Sequence, residues 1–229
     1  MYELDLLKWK PDGQGTVERV GDTEYEAHVQ TPLTLWCPTP AAGDVEIEFD
    51  CQVTVANSAM LLFLCARNWR GPALLETTRQ GEYPDYSSRD MACYTIGFNR
   101  AAHVTTDVQP NASTANVRRL GGPDALEFAG VSLRDRSAEA MARWHRWDTH
   151  SLLCSVREHA SGLGRYYHYC FRSAAPRLTM ELEGEELFSV VDHRPDPLAG
   201  GCLGLRNMTP GGGYRVRNLV IRDVVPQAS

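Results

Sequence analysis

Short alternations of apolar and polar residues run through most of the chain. Val45, Ile47 and Phe49 alternate with Asp44, Glu46, Glu48 and Asp50, a period of two that predicts a strand with one face buried and the other carrying acids. Residues 59–66 are apolar throughout, as expected of a strand covered on both sides. That run ends in the polar stretch Arg67, Asn68, Trp69, Arg70, Gly71 and Pro72. Another strand is predicted over 93–100, after a loop over 81–90 rich in turn and aromatic residues, with 116–120 pairing nearby.

Toward the C-terminus, Glu183, Gly184 and Glu185 separate the apolar runs 178–182 and 186–191, and the glycine supplies the backbone freedom of a hairpin turn. Leu203 and Leu205, then Val216, Asn218 and Val220, alternate with their neighbours as two further strands. Residues 149–157 and 164–172 read as a hairpin about Gly162. Helix competes only over 137–147, where Ser137 can cap and Ala138 to Arg143 favour helix; one short turn before a strand is the expectation. The pattern predicts an all-β fold, a single sandwich domain over 1–229 with at most short helices.

Charge and cysteine usage narrow the class. A net charge of −6 and a pI near 5.6 give no broad positive field, so no nucleic-acid partner is expected. No apolar stretch is long enough for a bilayer, and the start Met1 to Asp5 carries two acids in place of a basic, then apolar, secretory signal. No membrane partner and a cytoplasmic location are therefore expected. The seven cysteines, at 37, 51, 65, 93, 154, 170 and 202, lie scattered in apolar runs without zinc-knuckle spacing, which predicts reduced, buried thiols. No cofactor and no metal ligand set are assigned; a structural calcium ion on loop oxygens near Asp192 and Asp196 is the one candidate.

Several motifs, taken in order, carry a family resemblance: Leu35-Trp36-Cys37-Pro38, Gly81-Glu82-Tyr83-Pro84-Asp85-Tyr86, Asp90, Phe98-Asn99-Arg100, Asn116-Val117-Arg118-Arg119 and Gly204-Leu205-Arg206-Asn207-Met208. Across roughly residues 30 to 222 the chain resembles the YesU-like family. That resemblance implies a concanavalin-like jelly roll, two antiparallel sheets with one concave face. It also implies a setting among bacterial pathways that dismantle plant polysaccharides such as rhamnogalacturonan, with no single reaction attached. The chain departs from the family at Ser87, where a histidine often follows the second tyrosine, and at Gly97 to Arg100, which replace a more aromatic, doubly basic ending.

Two constellations then carry candidate chemistry. Glu46 and Glu48 share one strand face, as a hydrolase's two carboxylates would, but a row of acids on an outward face is also how a sheet stays soluble, and that reading is preferred. The other constellation is basic and phenolic. Eliminative cleavage of a uronate polymer needs a neutralised carboxylate, a base and an acid, which assigns Tyr94, Arg100 and His103 as candidate catalytic residues. Arg67, Trp69, Tyr83, Tyr86, Arg118 and Arg206 are candidate binding residues, since guanidinium groups grip carboxylates and aromatic rings stack on sugar faces. The same set suits a noncatalytic cleft. An oligosaccharide is thus the expected ligand, with lyase, hydrolase and noncatalytic binding protein as the three classes.

Overall fold

The computed structural model describes residues 1–56, 58–82, 85–87, 90–99, 113–122, 137–158 and 162–224. The first half of the chain forms β1 (Lys10–Asp12), β2 (Gly15–Arg19), β3 (Glu24–Val29), β4 (Leu33–Trp36), β5 (Val45–Val53), β6 (Met60–Asn68), β7 (Met91–Phe98) and β8 (Ser113–Leu120). Helix α1 (Ala138–Ser151) follows, then β9 (Leu152–Glu158), β10 (Tyr166–Ala174), β11 (Arg177–Leu182), β12 (Glu185–Val191), β13 (Cys202–Asn207) and β14 (Gly213–Asp223). The strands make two antiparallel sheets of seven, in the orders β1-β4-β13-β6-β7-β8-β9 and β12-β11-β10-β5-β14-β3-β2. This is the jelly-roll sandwich read from the sequence.

The alternation in β5 is realised as expected: Val45, Ile47 and Phe49 are fully buried between the sheets. There Phe49, Tyr169 and Phe171 of the second sheet pack on Phe98 of the first, with ring centroids 4.9 to 5.9 Å from Phe98. Burying such large apolar side chains contributes roughly 1.5–3 kcal/mol each and is the main force joining the sheets. The hairpin at Glu183 and Gly184 pairs β11 with β12. All seven cysteines are free, and burial pushes the Cys65 and Cys202 thiols up to about 11, where they stay protonated.

Two expectations change. The segment expected to form one short turn is a helix of 14 residues, with Ser137 as its N-cap accepting from the Ala140 N–H at 3.2 Å. The strands expected to form a hairpin about Gly162 lie in different sheets: β9 pairs with β8, whereas β10 pairs with β5 and β11. Periodicity fixes that each is a strand but not its neighbour.

A buried polar bolt crosses the interior. Arg119 of β8 donates to Asp192, just past β12, at 2.8 Å, and to Asp196 at 2.9 Å. The Tyr94 hydroxyl of β7 donates to the same Asp192 oxygen at 2.8 Å and accepts from the Leu198 N–H at 2.9 Å. The Arg194 N–H takes the other Asp192 oxygen at 3.2 Å. Of the two acids that the sequence reading offered to calcium, Asp192 is bound by Arg119 and Tyr94, whereas Asp196 pairs with Arg119 and stays half-exposed.

The outer face of the second sheet carries a ladder of opposite charges in direct cross-strand register. Glu46 faces Arg172 on one side and Arg222 on the other, and accepts from them at 2.7 and 2.5 Å; Asp50 faces His168 and Arg217. Glu46 is buried rather than solvated. Burial raises its pKa, but the hydrogen bonds from Arg222 and Arg172 outweigh that and hold the carboxyl below the usual range.

Breaking the bolt with Arg119→Met leaves Asp192 charged in the interior without its arginine, though still held by the Tyr94 hydroxyl and the Arg194 N–H, and the expected cost is about 3 kcal/mol, read from the urea midpoint. Adding Asp192→Asn should recover part of that loss. Glu46→Gln is expected to cost about 1 kcal/mol at neutral pH. Because the folded-state pKa is depressed, this difference from wild type should shrink as pH falls below the ordinary glutamate value of 4.5, which a series of unfolding curves against pH checks.

Candidate functional site

Register places side chains of the first sheet's outer face in two rows. Thr34, Arg206, Leu61, Gly97 and Asn116 lie side by side across β4, β13, β6, β7 and β8; next to them run Trp36, Gly204, Phe63, Thr95 and Arg118. The Trp36 indole lies flat over Gly204, where an added Cβ would sit 2.6 Å from the ring. In this position only glycine lets the ring reach Phe63, 5.0 Å away between centroids.

This face is covered by the chain itself. The connection from Trp69 to Asp90 leaves and returns at the same point, since Asn68 pairs with Met91 and the Trp69 N–H donates to the Asp90 carbonyl at 2.5 Å. Its described parts fold back over the sheet, laying Leu74 and Tyr86 into a second apolar cluster with Trp36, Leu61 and Phe63. Tyr86 is fully buried, and the Arg206 guanidinium stacks 4.6 Å from its ring while donating to Thr34 at 3.0 Å. From the other side α1 seats Trp147 in the same cluster. Arg118 holds the end of that helix by donating to the Asp148 carbonyl at 3.0 Å, the Asp148 carboxylate at 2.5 Å and Ser151 at 2.9 Å. Arg194 donates to the His150 carbonyl at 2.7 Å. Cations at a helix C-terminus complement its dipole.

One open concavity among the described residues lies at the rim. The Trp69–Asp90 connection borders a shallow, open cleft of about 530 Å³ at the mouth of the β6–β7 pair, with Asn68, Arg70, Thr77, Thr78, Arg79 and Asp90 among its walls. The volume lies within the ordinary range of small-ligand sites, about 300–1,000 Å³. Beside it, Trp69 keeps 40% of its surface exposed, and the Arg67 guanidinium sits 5.9 Å from the indole centroid. The register breaks between Leu64 and Arg67, with Cys65 at φ 55°, and resumes with Arg67 on Ala92 and Asn68 on Met91, so that Trp69 stands just past the end of β6. Amide, hydroxyl, guanidinium and carboxylate groups beside an exposed indole can hydrogen-bond a polyhydroxylated ring and stack against it.

The residues singled out from the sequence part company. Arg67 and Trp69 are not among the cleft's walls; they flank the wall residues Asn68 and Arg70 in the chain. Tyr86 and Arg206 meet each other on the expected face, but beneath the connection rather than in solvent, and Arg118 anchors α1. Tyr94, expected as a catalytic residue, lies in the interior with its phenol engaged on both sides; burial and Asp192 push its pKa up. Tyr83, Arg100 and His103 fall outside the described residues. Glu46 and Glu48 lie on the other sheet, tied to arginines. Thr77, Thr78, Arg79 and Asp85 were missed as cleft walls; the signal was the length of the connection itself, far beyond that of a hairpin between adjacent strands.

No curated protein sequence matches the chain. Among solved structures, a Bacillus subtilis protein of unknown function with a galectin-like fold superposes with a TM-score of 0.72 at 17% identity, covering 99% of this chain and 100% of its own. The carbohydrate-binding module CBM66 from Bacillus subtilis gives 0.55 at 10% identity, covering 94% and 95%. The exoplasmic/lumenal domain of VIP36, solved with Ca²⁺ and Man3GlcNAc, gives 0.55 at 10% identity, covering 96% and 86%. These likenesses establish a shared fold. No described helix is long and apolar enough to cross a membrane. Residues 3–126, which include the rim cleft, match the profile described as a domain of unknown function, DUF1961, and the chain belongs to that family.

Proposed function

We propose that this protein binds carbohydrate in the rim cleft between Asn68 and Met91, without cleaving it. The observation that carries the reading is the polar cleft of about 530 Å³ beside an exposed indole, on a fold whose structural neighbours include a carbohydrate-binding module. Stacking on Trp69 would supply the apolar share of affinity, and Asn68, Thr77, Thr78 and Asp90 would orient hydroxyl groups.

The finer elements of the proposal are a uronate-bearing oligosaccharide from plant polysaccharide and membership of the narrower YesU-like family. The first is supported by Arg67 and Arg70, which form no ion pair among the described residues and could each meet a sugar carboxylate. The second rests on the ordered motifs. A cytoplasmic location belongs to the same reading, supported by seven free thiols. Noncatalytic binding stands ahead of lyase and hydrolase because Tyr94 and the Glu46–Glu48 pair are committed to structural hydrogen bonds.

Calorimetric titration with digalacturonate and with neutral galactobiose tests this, with ultraviolet absorbance and product mass followed in the same samples. Saturable binding without turnover is expected. Trp69→Ala should weaken binding of both sugars by about 10- to 30-fold, the loss typical of a stacked aromatic anchor, whereas Arg70→Ala should weaken digalacturonate more than galactobiose. Absence of saturable binding to either sugar, or unchanged binding in Trp69→Ala, overturns the site. An absorbance rise would return the lyase reading, and products heavier by one water the hydrolase.

A further inference from the structure

Two charged residues of the short edge strand β1 reach across to the Trp69–Asp90 connection, Lys10 to its carbonyls and Asp12 to Arg79, while Asp12 also holds Trp36 of its own sheet. The Lys10 ammonium donates to the carbonyls of Leu75, at 2.7 Å, and Thr77. Asp12, only 1% exposed, accepts from the Trp36 indole N–H at 2.7 Å and from the backbone N–H of Arg79 at 3.4 Å, and lies 3.9 Å from the Arg79 guanidinium. Arg79 in turn donates to the Asn68 side-chain oxygen at 2.7 Å and to the Leu74 carbonyl at 3.3 Å, while the Asn68 amide donates to the Pro72 carbonyl at 2.7 Å. Asn68, Pro72, Thr77 and Arg79 are cleft walls; Lys10 and Asp12 are not. A continuous relay therefore runs from the sheet edge to the groups that would meet a ligand.

The backbone closes the same contact. Gly81, at φ +87°, approaches so near that an added Cβ would lie 2.2 Å from the Pro32 carbonyl oxygen and 2.8 Å from the Gly13 Cα. The connection is thus docked at its middle by ions and farther on by backbone, leaving Trp69 and Arg70 at its free shoulder.

We propose that Lys10 and Asp12 are positioning residues of the cleft, which hold its Asn68–Arg79 wall in the shape that receives the sugar. As a statement about a sugar site, this rests on the carbohydrate reading above. The physical argument is one of cost. A buried carboxylate loses hydration, and burial raises the Asp12 pKa by more than Trp36, Arg79 and Lys10 lower it. A group whose folded-state pKa is raised lowers stability when ionised, so at neutral pH the charge on Asp12 is a net burden on the fold. A charge kept where it costs stability is accounted for by what it holds in place, here Arg79 and through it Asn68.

This separates positioning from support. Asp12→Asn keeps an acceptor for Trp36 and removes the charge together with the second acceptor, the one that takes the Arg79 N–H. Its melting temperature should match or exceed wild type, while hydrogen exchange at residues 74–82 should quicken about tenfold and digalacturonate affinity should fall about tenfold. Lys10→Met should behave likewise in exchange and affinity, and Lys10→Arg should restore both. A melting temperature lowered by about 10 °C or more in Asp12→Asn would mark a merely structural residue and overturn the proposal, as would unchanged exchange over 74–82. Wild-type protein that binds neither sugar would count against the carbohydrate reading alone, and the exchange result would still decide whether Lys10 and Asp12 hold the wall. Wild-type binding with full affinity in Asp12→Asn would overturn the positioning role alone.

Discussion

A sheet buried on both faces must satisfy every polar group it carries, and the first sheet of this protein is such a sheet. Its inner face packs on the second sheet through Phe98 and its neighbours. Its outer face lies under the Trp69–Asp90 connection and α1, with Trp36, Phe63, Tyr86 and Trp147 in one cluster. Water is excluded on both sides, so Arg206, Asp12, Arg118 and Arg119 need fixed partners or they would cost several kcal/mol each. The partners named above, Thr34 and Tyr86, Trp36 and Arg79, Asp148, and Asp192, follow from that requirement.

The same covering moves the place available for ligand chemistry. The polar rows that topology lays out across the sheet are consumed in holding down the chain's own segments. Among the described residues an open cleft lies at the rim, where the connection rises from β6 and β7. A loop held by a rigid scaffold is a common location for recognition groups, because the scaffold fixes its ends while its sequence is free to vary. The likeness to galectin-like and carbohydrate-binding-module folds identifies the scaffold and not the chemistry.

Charge is distributed in keeping with this division. On the outer face of the second sheet, acids and arginines alternate in register and neutralise one another, so that face adds solubility and a modest stabilisation. Between the sheets, one arginine and one aspartate form a bolt. Arg67 and Arg70, at the shoulder of the cleft, form no ion pair among the described residues.

Sequence by itself determined the strands and hence the fold class, because a period of two in Val45, Ile47 and Phe49 has one physical meaning and the Glu183–Gly184 turn has another. It missed β1 to β3, although Tyr25, Ala27 and Val29 alternate, since short strands rich in charge read as loop. It shortened α1 because that helix is polar over most of its surface and depends on Arg118 and Arg194, far away in the chain. Adjacent residues of a strand point to opposite faces, so Arg118 and Arg119 had to separate, one inward and one outward. Which took which face was decided by tertiary structure alone, when β12 brought Asp192 against one of them and α1 brought Asp148 against the other. The cleft belongs to the same category: its walls come from one connection and its supports from β1, and no local pattern records that the two will meet.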